Sequence, residues 1–307
     1  MTLQEKLKLI QKLSSKPQEG LARDLGVSFA TFNSWINGRS LPRKKALERI
    51  DQLYLKLTGQ SVIPQEVLEA KKQFLKQKGA EYKNILQTIS KHKDIYDQFM
   101  LSLTYNTNRI EGSTLTEPET AAILFENAAL PDKSIIEQLE VKNHQAAVHF
   151  LFKHLGENGQ IDEAFILRLH SILMNSIRED AGFYRKHGVR IVGTNVPTAN
   201  HLKVPELMKK LSLNIKRKRK DLVTHVSEVH SHFEQVHPFS DGNGRVGRLL
   251  LNAMLMKQNL PPAVIKQELR RFYALYLNKS QLHKDFNLLE DFICDAILEG
   301  FNILERK

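Results

Sequence analysis

The chain has 307 residues, 41% hydrophobic and 26% charged, which is the composition of a water-soluble globular protein long enough for about two domains. No apolar run approaches the ~18 residues that span a bilayer, Met1-Thr-Leu-Gln-Glu-Lys lacks a signal-peptide core, and the single cysteine, Cys294, excludes an internal disulfide or a cysteine-based zinc site, so a cytoplasmic protein with no membrane partner is expected. The net charge of +11 is uneven, with eleven Lys and Arg against five Asp and Glu in residues 1–60, and a basic terminal module raises the question of nucleic acid.

In chain order, a short helix is predicted to end at Gly26, Ser28 can cap a second, and Gly38 stops it, with Val27, Phe32, Trp35 and Ile36 on the apolar side. Leu47, Ile50 and Leu53 mark a closing helix. This pattern resembles a helix-turn-helix over residues 1–57, and it would offer DNA Ser28, Ala30, Thr31, Asn33 and Ser34, with Arg39, Arg43, Lys44 and Lys45 toward phosphates. The outward face of the second helix holds no Arg or Lys, so a module for protein contacts is the competing reading. Residues 58–97 read as a linker followed by a Lys- and Gln-rich, solvated connecting helix.

The next helix runs toward Gly112, which would end it, leaving Glu111 at the helix C-terminus. A negative charge is unfavourable there unless a cation meets it. Residues 116–180 carry helical apolar patterns and read as scaffold, with His170 a packed core histidine. Gly182 to Gly188 breaks the helical run, and Val189 to Pro197 alternates or turns as a short β-hairpin would. Lys216 to Lys220 is a basic run, more simply a solvated face than a binding site. His230 and His232, two residues apart on a helix, cannot share one metal ion.

The richest stretch is His237-Pro-Phe-Ser-Asp241-Gly-Asn-Gly-Arg245-Val-Gly-Arg248. Gly242 and Gly244 let successive backbone N–H groups curl around an anion. The turn feeds a predicted buried helix whose N-terminus attracts phosphate. Arg245 and Arg248, three residues apart, share a face and can fork onto phosphate oxygens. Asp241 is either the helix N-cap or the one carboxylate that a phosphate-bound Mg²⁺ takes. His237, with an ordinary pKa near ~6.5, can accept a proton from an attacking alcohol.

This string resembles the motif H-x-F-x-[D/E]-G-N-G-R-x-x-R of Fic domains at every defined position. The resemblance implies that His237 is the general base, Phe239 a core anchor and Asp241 the Mg²⁺ ligand. It further implies that Gly242, Asn243 and Gly244 cradle the α- and β-phosphates, that Arg245 holds the β-phosphate and that Arg248 holds the γ-phosphate. Thr107, Glu111 and Gly112 match the inhibitory motif [S/T]-x-x-x-E-[G/N], which implies that Glu111 pairs with Arg248 and displaces the γ-phosphate. The hairpin residues Val189, Ile191, Val192, Gly193 and Thr194 would form the flap that pairs with a target's extended segment. Tyr273, in the helix beginning at Arg270, would lie near the nucleobase, with Ala274 where a second aromatic is often found.

The resulting expectation is an all-α protein with one β-hairpin flap. It has a helix-turn-helix-like domain over residues 1–57, a linker and connecting helix over 58–97, and a Fic domain over 98–302. The expected function is a protein adenylyltransferase that moves AMP from ATP, with Mg²⁺, to a Ser, Thr or Tyr hydroxyl of a target protein and is autoinhibited by Glu111. Two alternatives stay open: a DNA-binding regulator whose Fic core senses nucleotide, and a Fic enzyme transferring another nucleotide or a phosphate group. Partners are the target protein and, as open cases, DNA through residues 1–57 and a second copy in a homodimer.

Overall fold

The computed structural model describes residues 2–58, 63–191, 194–217 and 219–306. Two compact units divide the chain, Met1–Ile63 and Pro64–Lys307. The first holds α1 (Leu3–Ser14), α2 (Gln18–Leu25), α3 (Phe29–Ile36) and α4 (Lys44–Thr58). Thr2 and Glu5 close a capping box on α1, α2 stops at Gly26 with φ +69°, and the Ser28 hydroxyl caps α3 by accepting from Thr31 N–H. Leu7, Ile10, Leu21, Leu25, Phe32, Trp35, Ile50 and Tyr54 form its core. Leu47, expected on the apolar side of the closing helix, is instead 40% exposed.

The second unit holds α5 (Gln65–Ala80), α6 (Ile85–Lys91), α7 (Lys93–Glu111), α8 (Glu117–Phe125), α9 (Ile135–Gly156), α10 (Glu163–Leu173), α11 (Val204–Ile215), α12 (Leu222–Val236), α13 (Asn243–Lys257), α14 (Arg270–His283) and α15 (Asn287–Leu304). Helix α13 is the axis. Residues Arg245 to Met256 are all buried, as a helix apolar on every side requires, and α7, α9, α10 and α12 pack around it. Helix α12 is covered in turn by α11, α14 and α15. Among the described residues no helix is long and apolar enough to cross a membrane.

Two expectations change. No strand occurs among the described residues, so the expected β-hairpin flap is not seen: Val189, Ile191 and Thr194 lie in irregular chain, and Val192 and Gly193 lie outside the described residues. The physical reason is where the local carbonyls go. Thr198 Oγ1 donates to Val189 O at 2.7 Å, and Arg185 donates to the carbonyls of His187 and Ala199, so side chains take acceptors that a strand ladder would use.

Helix α5 is also not a solvated strut. Leu68 and Leu75 are buried, and α5 packs along α15. Its lysines reach inward: Lys72 Nζ lies 2.5 Å from Glu290 and 2.6 Å from Asp221, with Lys72 only 9% and Glu290 7% exposed. Lys71 pairs in the same way with Asp291 and Asp295. Removing one partner of a buried pair leaves an uncompensated charge, a loss on the order of 3–5 kcal/mol. Lys72→Ala is expected to lower unfolding stability by about that amount, measured as a shift of the urea midpoint at unchanged slope. A change below about 0.5 kcal/mol would place the pair among ordinary surface contacts.

Candidate active site

Between α12 and α13 the chain makes a loop whose shape is fixed by side chains bonding to backbone. His237 ends α12 with φ +50°, a conformation a non-glycine residue holds only when its surroundings enforce it. Arg185 supplies that enforcement. Its guanidinium is buried and donates to the carbonyls of His237 at 2.7 Å, His187 at 2.6 Å, Ala199 at 2.5 Å and Val236 at 3.3 Å, while its own N–H donates to Pro238 O. Asn243 closes the other end: Oδ1 accepts from Phe239 N–H and Nδ2 donates to Phe239 O, both at 2.9 Å.

Phe239 is fully buried and stacks on His170 with ring centroids 3.7 Å apart and planes 5° from parallel. His170 Nδ1 accepts from Gly182 N–H at 2.8 Å, which leaves Nε2–H to donate to Asp241 O at 3.1 Å. Burial pushes the His170 pKa down to about 4, so the imidazole stays neutral and this tautomer persists.

The same logic sets His237. Its Nδ1 lies 3.2 Å from the Glu234 carbonyl, which can only accept, so Nδ1 carries the proton and Nε2 is left with its lone pair. Burial holds the His237 pKa below the ordinary histidine value. Glu234 itself is buried, its carboxyl pushed up to about 7 by burial, and its Oε1 has no partner among the described residues.

Gly242, with φ +75°, is the N-cap of α13, so the first N–H groups of that helix carry no side-chain cap. Asp241 does not cap them as a true N-cap would. Its Oδ1 accepts from Gly242 N–H at 2.6 Å, and the side chain is 55% exposed on the rim. Among the described residues no cluster of three or more His, Cys, Asp or Glu could enclose a metal ion. A lone exposed carboxylate fits a Mg²⁺ that keeps most of its waters and leans on phosphate, not one held in a protein cage.

Both arginines are engaged. Arg248 reaches α7, where Nε donates to Thr107 Oγ1 at 2.5 Å and Nη2 lies 2.5 Å from Glu111 Oε1. Burial alone would raise the Glu111 pKa, but Arg248, aided by Arg245 and Arg270, outweighs it and holds the carboxyl below its ordinary value. Arg245 Nη1 pairs with Glu140 on α9 at 2.6 Å, and Nη2 stands 3.5 Å from Asp241. Gly244 leaves room for this contact, since a Cβ there would run into the Glu111 carboxylate as it is placed.

The structure thus gathers His237, Asp241, Gly242, Asn243, Gly244, Arg245, Arg248 and Glu111 at one helix N-terminus. Tyr273 lies deeper. It is 4% exposed, its hydroxyl is 2.7 Å from His230 Nε2, and its ring stacks on His230 and Phe292. These contacts tie it to α12 and α15. Val189, Ile191 and Thr194 are partly buried in the irregular segment after Arg185. Arg185, His170 and Glu140 were not singled out as site residues from sequence. The G-F-Y-R string after the helical break contained Arg185, but its role depends on carbonyls up to 52 residues away.

The start of α13 thus brings an uncapped helix N-terminus together with two arginines and a histidine whose pKa burial lowers. Residues 160–255 match the Fic/DOC family, and the chain carries a Fic domain. Its relatives include the protein adenylyltransferase Fic of Nematostella vectensis, 37% identical over 57% of this chain and 42% of that protein. Another is the protein adenylyltransferase fic-1 of Caenorhabditis briggsae, 36% identical over 58% of this chain and 36% of that protein. The chain therefore spans less than half the length of these curated relatives. Among solved structures, a Fic-1 structure from C. elegans superposes with a TM-score of 0.69 at 22% identity, covering 98% of this chain and 92% of that one. A Fic-domain signaling protein from Bacteroides thetaiotaomicron gives 0.62 at 20% identity, over 78% and 97%. At these identities the likeness is one of fold.

Arg185→Ala is expected to strip donors from several buried carbonyls, each costing about 1–3 kcal/mol when left unsatisfied. The measurable outcome is a lower denaturation midpoint together with a displaced His237 imidazole signal by NMR. An unmoved His237 signal would mean that the loop holds its shape without Arg185.

Proposed function

We propose that the Fic domain is a protein adenylyltransferase that moves AMP from ATP to a Ser, Thr or Tyr hydroxyl of a target protein, and that Glu111 restrains it by occupying Arg248. The observation that carries this reading is the convergence, at the N-terminus of α13, of a histidine with a free Nε2 and the Glu111–Arg248 pair, 137 residues apart in the chain. The names of the relatives support the reaction type.

In this reading the uncapped N–H groups of α13 take the α- and β-phosphates, Arg245 the β-phosphate and Arg248 the γ-phosphate. The acceptor hydroxyl gives its proton to His237 Nε2 as its oxygen bonds to the α-phosphorus. The bond from the α-phosphorus to the bridging oxygen breaks, and pyrophosphate leaves. Asp241 would hold Mg²⁺, which would supply charge neutralisation to the phosphates. With Glu111 on Arg248, ATP lacks its γ-phosphate contact, and a misplacement of even ~1 Å can cost ~100-fold in rate. The intact histidine favours transfer over simple nucleotide sensing, since a sensor needs no base. The arginines do not select a nucleobase, so transfer of another nucleotide or a phosphate remains the alternative, and competition between labelled nucleotides discriminates.

Glu111→Gly is expected to raise labelled-AMP incorporation by roughly 100-fold, and adding Arg248→Ala should cancel the gain. Adding His237→Ala instead should lower transfer ~10²- to ~10⁴-fold while nucleotide still binds. Because burial lowers the His237 pKa, the base stays deprotonated through neutrality, and the acid limb of the rate should fall below the ordinary value of 6.5. Incorporation by Glu111→Gly no greater than wild type, at matched ATP and Mg²⁺, would remove Glu111 from this role.

For residues 1–57 we propose a helix-turn-helix-like DNA-binding module. Support comes from the tight α2–α3 turn at Gly26, the Ser28 cap and the basic charge of this segment. Duplex DNA should then bind with an affinity that falls steeply with salt and weakens in Arg43→Ala. No shift in a mobility assay with folded protein would leave the protein-contact reading.

A further inference from the structure

Arg245 is held as closely as Arg248, by a carboxylate with no motif around it. Glu140 Oε1 lies 2.6 Å from Arg245 Nη1, with the arginine side chain 4% and the glutamate 17% exposed. The two ion pairs differ in what stands behind each carboxylate. Glu111 is the last residue of α7, followed by Gly112 at φ +108°, and its side chain is 35% exposed, so a small change at a helix end can withdraw it. Glu140 lies within the 22-residue α9, beside buried Val141. Nearly one turn further on, Asn143 Nδ2 donates to the carbonyls of Leu173 and Asn175, tying α9 to the end of α10. Glu140 has no comparable freedom to leave.

We propose that Glu140 is a positioning residue that fixes the Arg245 guanidinium for the β-phosphate of a bound nucleotide, a permanent counterpart to the displaceable Glu111–Arg248 pair. This rests on the reading of the site as a nucleotide site. Geometry carries it. With Nη1 on Glu140, the plane of the guanidinium is set, and a donor remains on Nη2, which stands 3.5 Å from Asp241, beyond a hydrogen bond; Nε is buried and has no acceptor among the described residues. Without Glu140, the acceptor left beside Arg245 is Asp241. The guanidinium would swing toward that carboxylate, away from the phosphate and onto the residue assigned to the metal. Partners that orient a ligating side chain commonly matter ~10- to 100-fold.

An opposite account treats Glu140 as a competitor of phosphate, and it predicts the opposite sign. ADP separates the two, because it carries a β-phosphate and no γ-phosphate and so reports on Arg245 without Arg248. The experiment measures ADP binding by calorimetry without divalent metal, and labelled-AMP transfer, in Glu111→Gly alone and with Glu140→Ala or Glu140→Gln added. Circular-dichroism melts monitor the fold. Glu140→Ala should weaken ADP binding ~10- to 100-fold and lower transfer correspondingly. Glu140→Gln keeps the acceptor oxygen and should recover most of both. Undiminished or tighter ADP binding in Glu140→Ala overturns the proposal, as does a Gln variant no better than Ala. If the Glu111→Gly parent transfers no AMP yet binds ADP in a Glu140-dependent way, the adenylyl-transfer reading fails and the positioning role stands.

Discussion

A guanidinium buried at the start of α13 needs a counter-charge, and the end of α7 provides it. Arg248 draws on Thr107 and Glu111 together, and the contact ties α7 to the central helix, α13. The arrangement is stable but conditional. A carboxylate at a helix C-terminus works against the helix dipole, so Glu111 depends on its arginine for compensation, and the arginine depends on some anion. The pair resists acid. Its carboxyl pKa is lowered, so its stabilising contribution is fully present above 4.5, the unperturbed carboxyl value, and fades only as pH falls through the still lower folded-state value. Near neutrality, release must come from displacement of the side chain and not from protonation.

The loop that carries His237 is fixed by a second and independent set of contacts. Arg185, His170 and Asn243 bond to backbone groups of residues 236–241, and none of them uses a carboxylate. Neutral acceptors suit a neutral imidazole here, because an acid in their place would favour the protonated form of His237. The positive φ at His237, which costs on the order of 1–3 kcal/mol, is therefore borne by hydrogen bonds whose one charged donor, Arg185, further favours the neutral imidazole.

What the sequence revealed follows the range over which each signal acts. Gly26, Ser28, Gly112 and Gly242 act on their own few residues, and the elements they bound are where local chemistry predicts. Glu111 was legible because a charge at the wrong end of a helix is a local inconsistency. The segment from Val189 to Pro197 misled because alternation records which side chains are apolar and says nothing of where the carbonyls go, and Arg185 and Thr198 had taken them. Lys71 and Lys72 looked solvated because their acids lie about 150 to 224 residues away in the chain. Glu140 was silent for the same reason, since it acts through one distant partner, and His170 read only as a packed core histidine because Gly182, Phe239 and Asp241, which it joins, lie 12 to 71 residues away.

The protonation states around the site share one cause. His144 and His230 are pushed down to about 3 and His170 to about 4, each chiefly by burial, so near neutrality none adds charge beside Arg245 and Arg248. The positive potential at the start of α13 then rests on the helix dipole and on arginines, which do not titrate near neutrality. Glu234 is the exception, with a carboxyl near 7 that burial raises, Arg248 lowers and Glu111 raises. Its charge and that of Glu111 are therefore coupled through a shared guanidinium. When Glu111 withdraws, its share in favouring the neutral form of Glu234 goes with it, while burial, the larger cause, remains. The end of α7 thus influences the site through a contact that can break and through a field that reaches a second carboxylate.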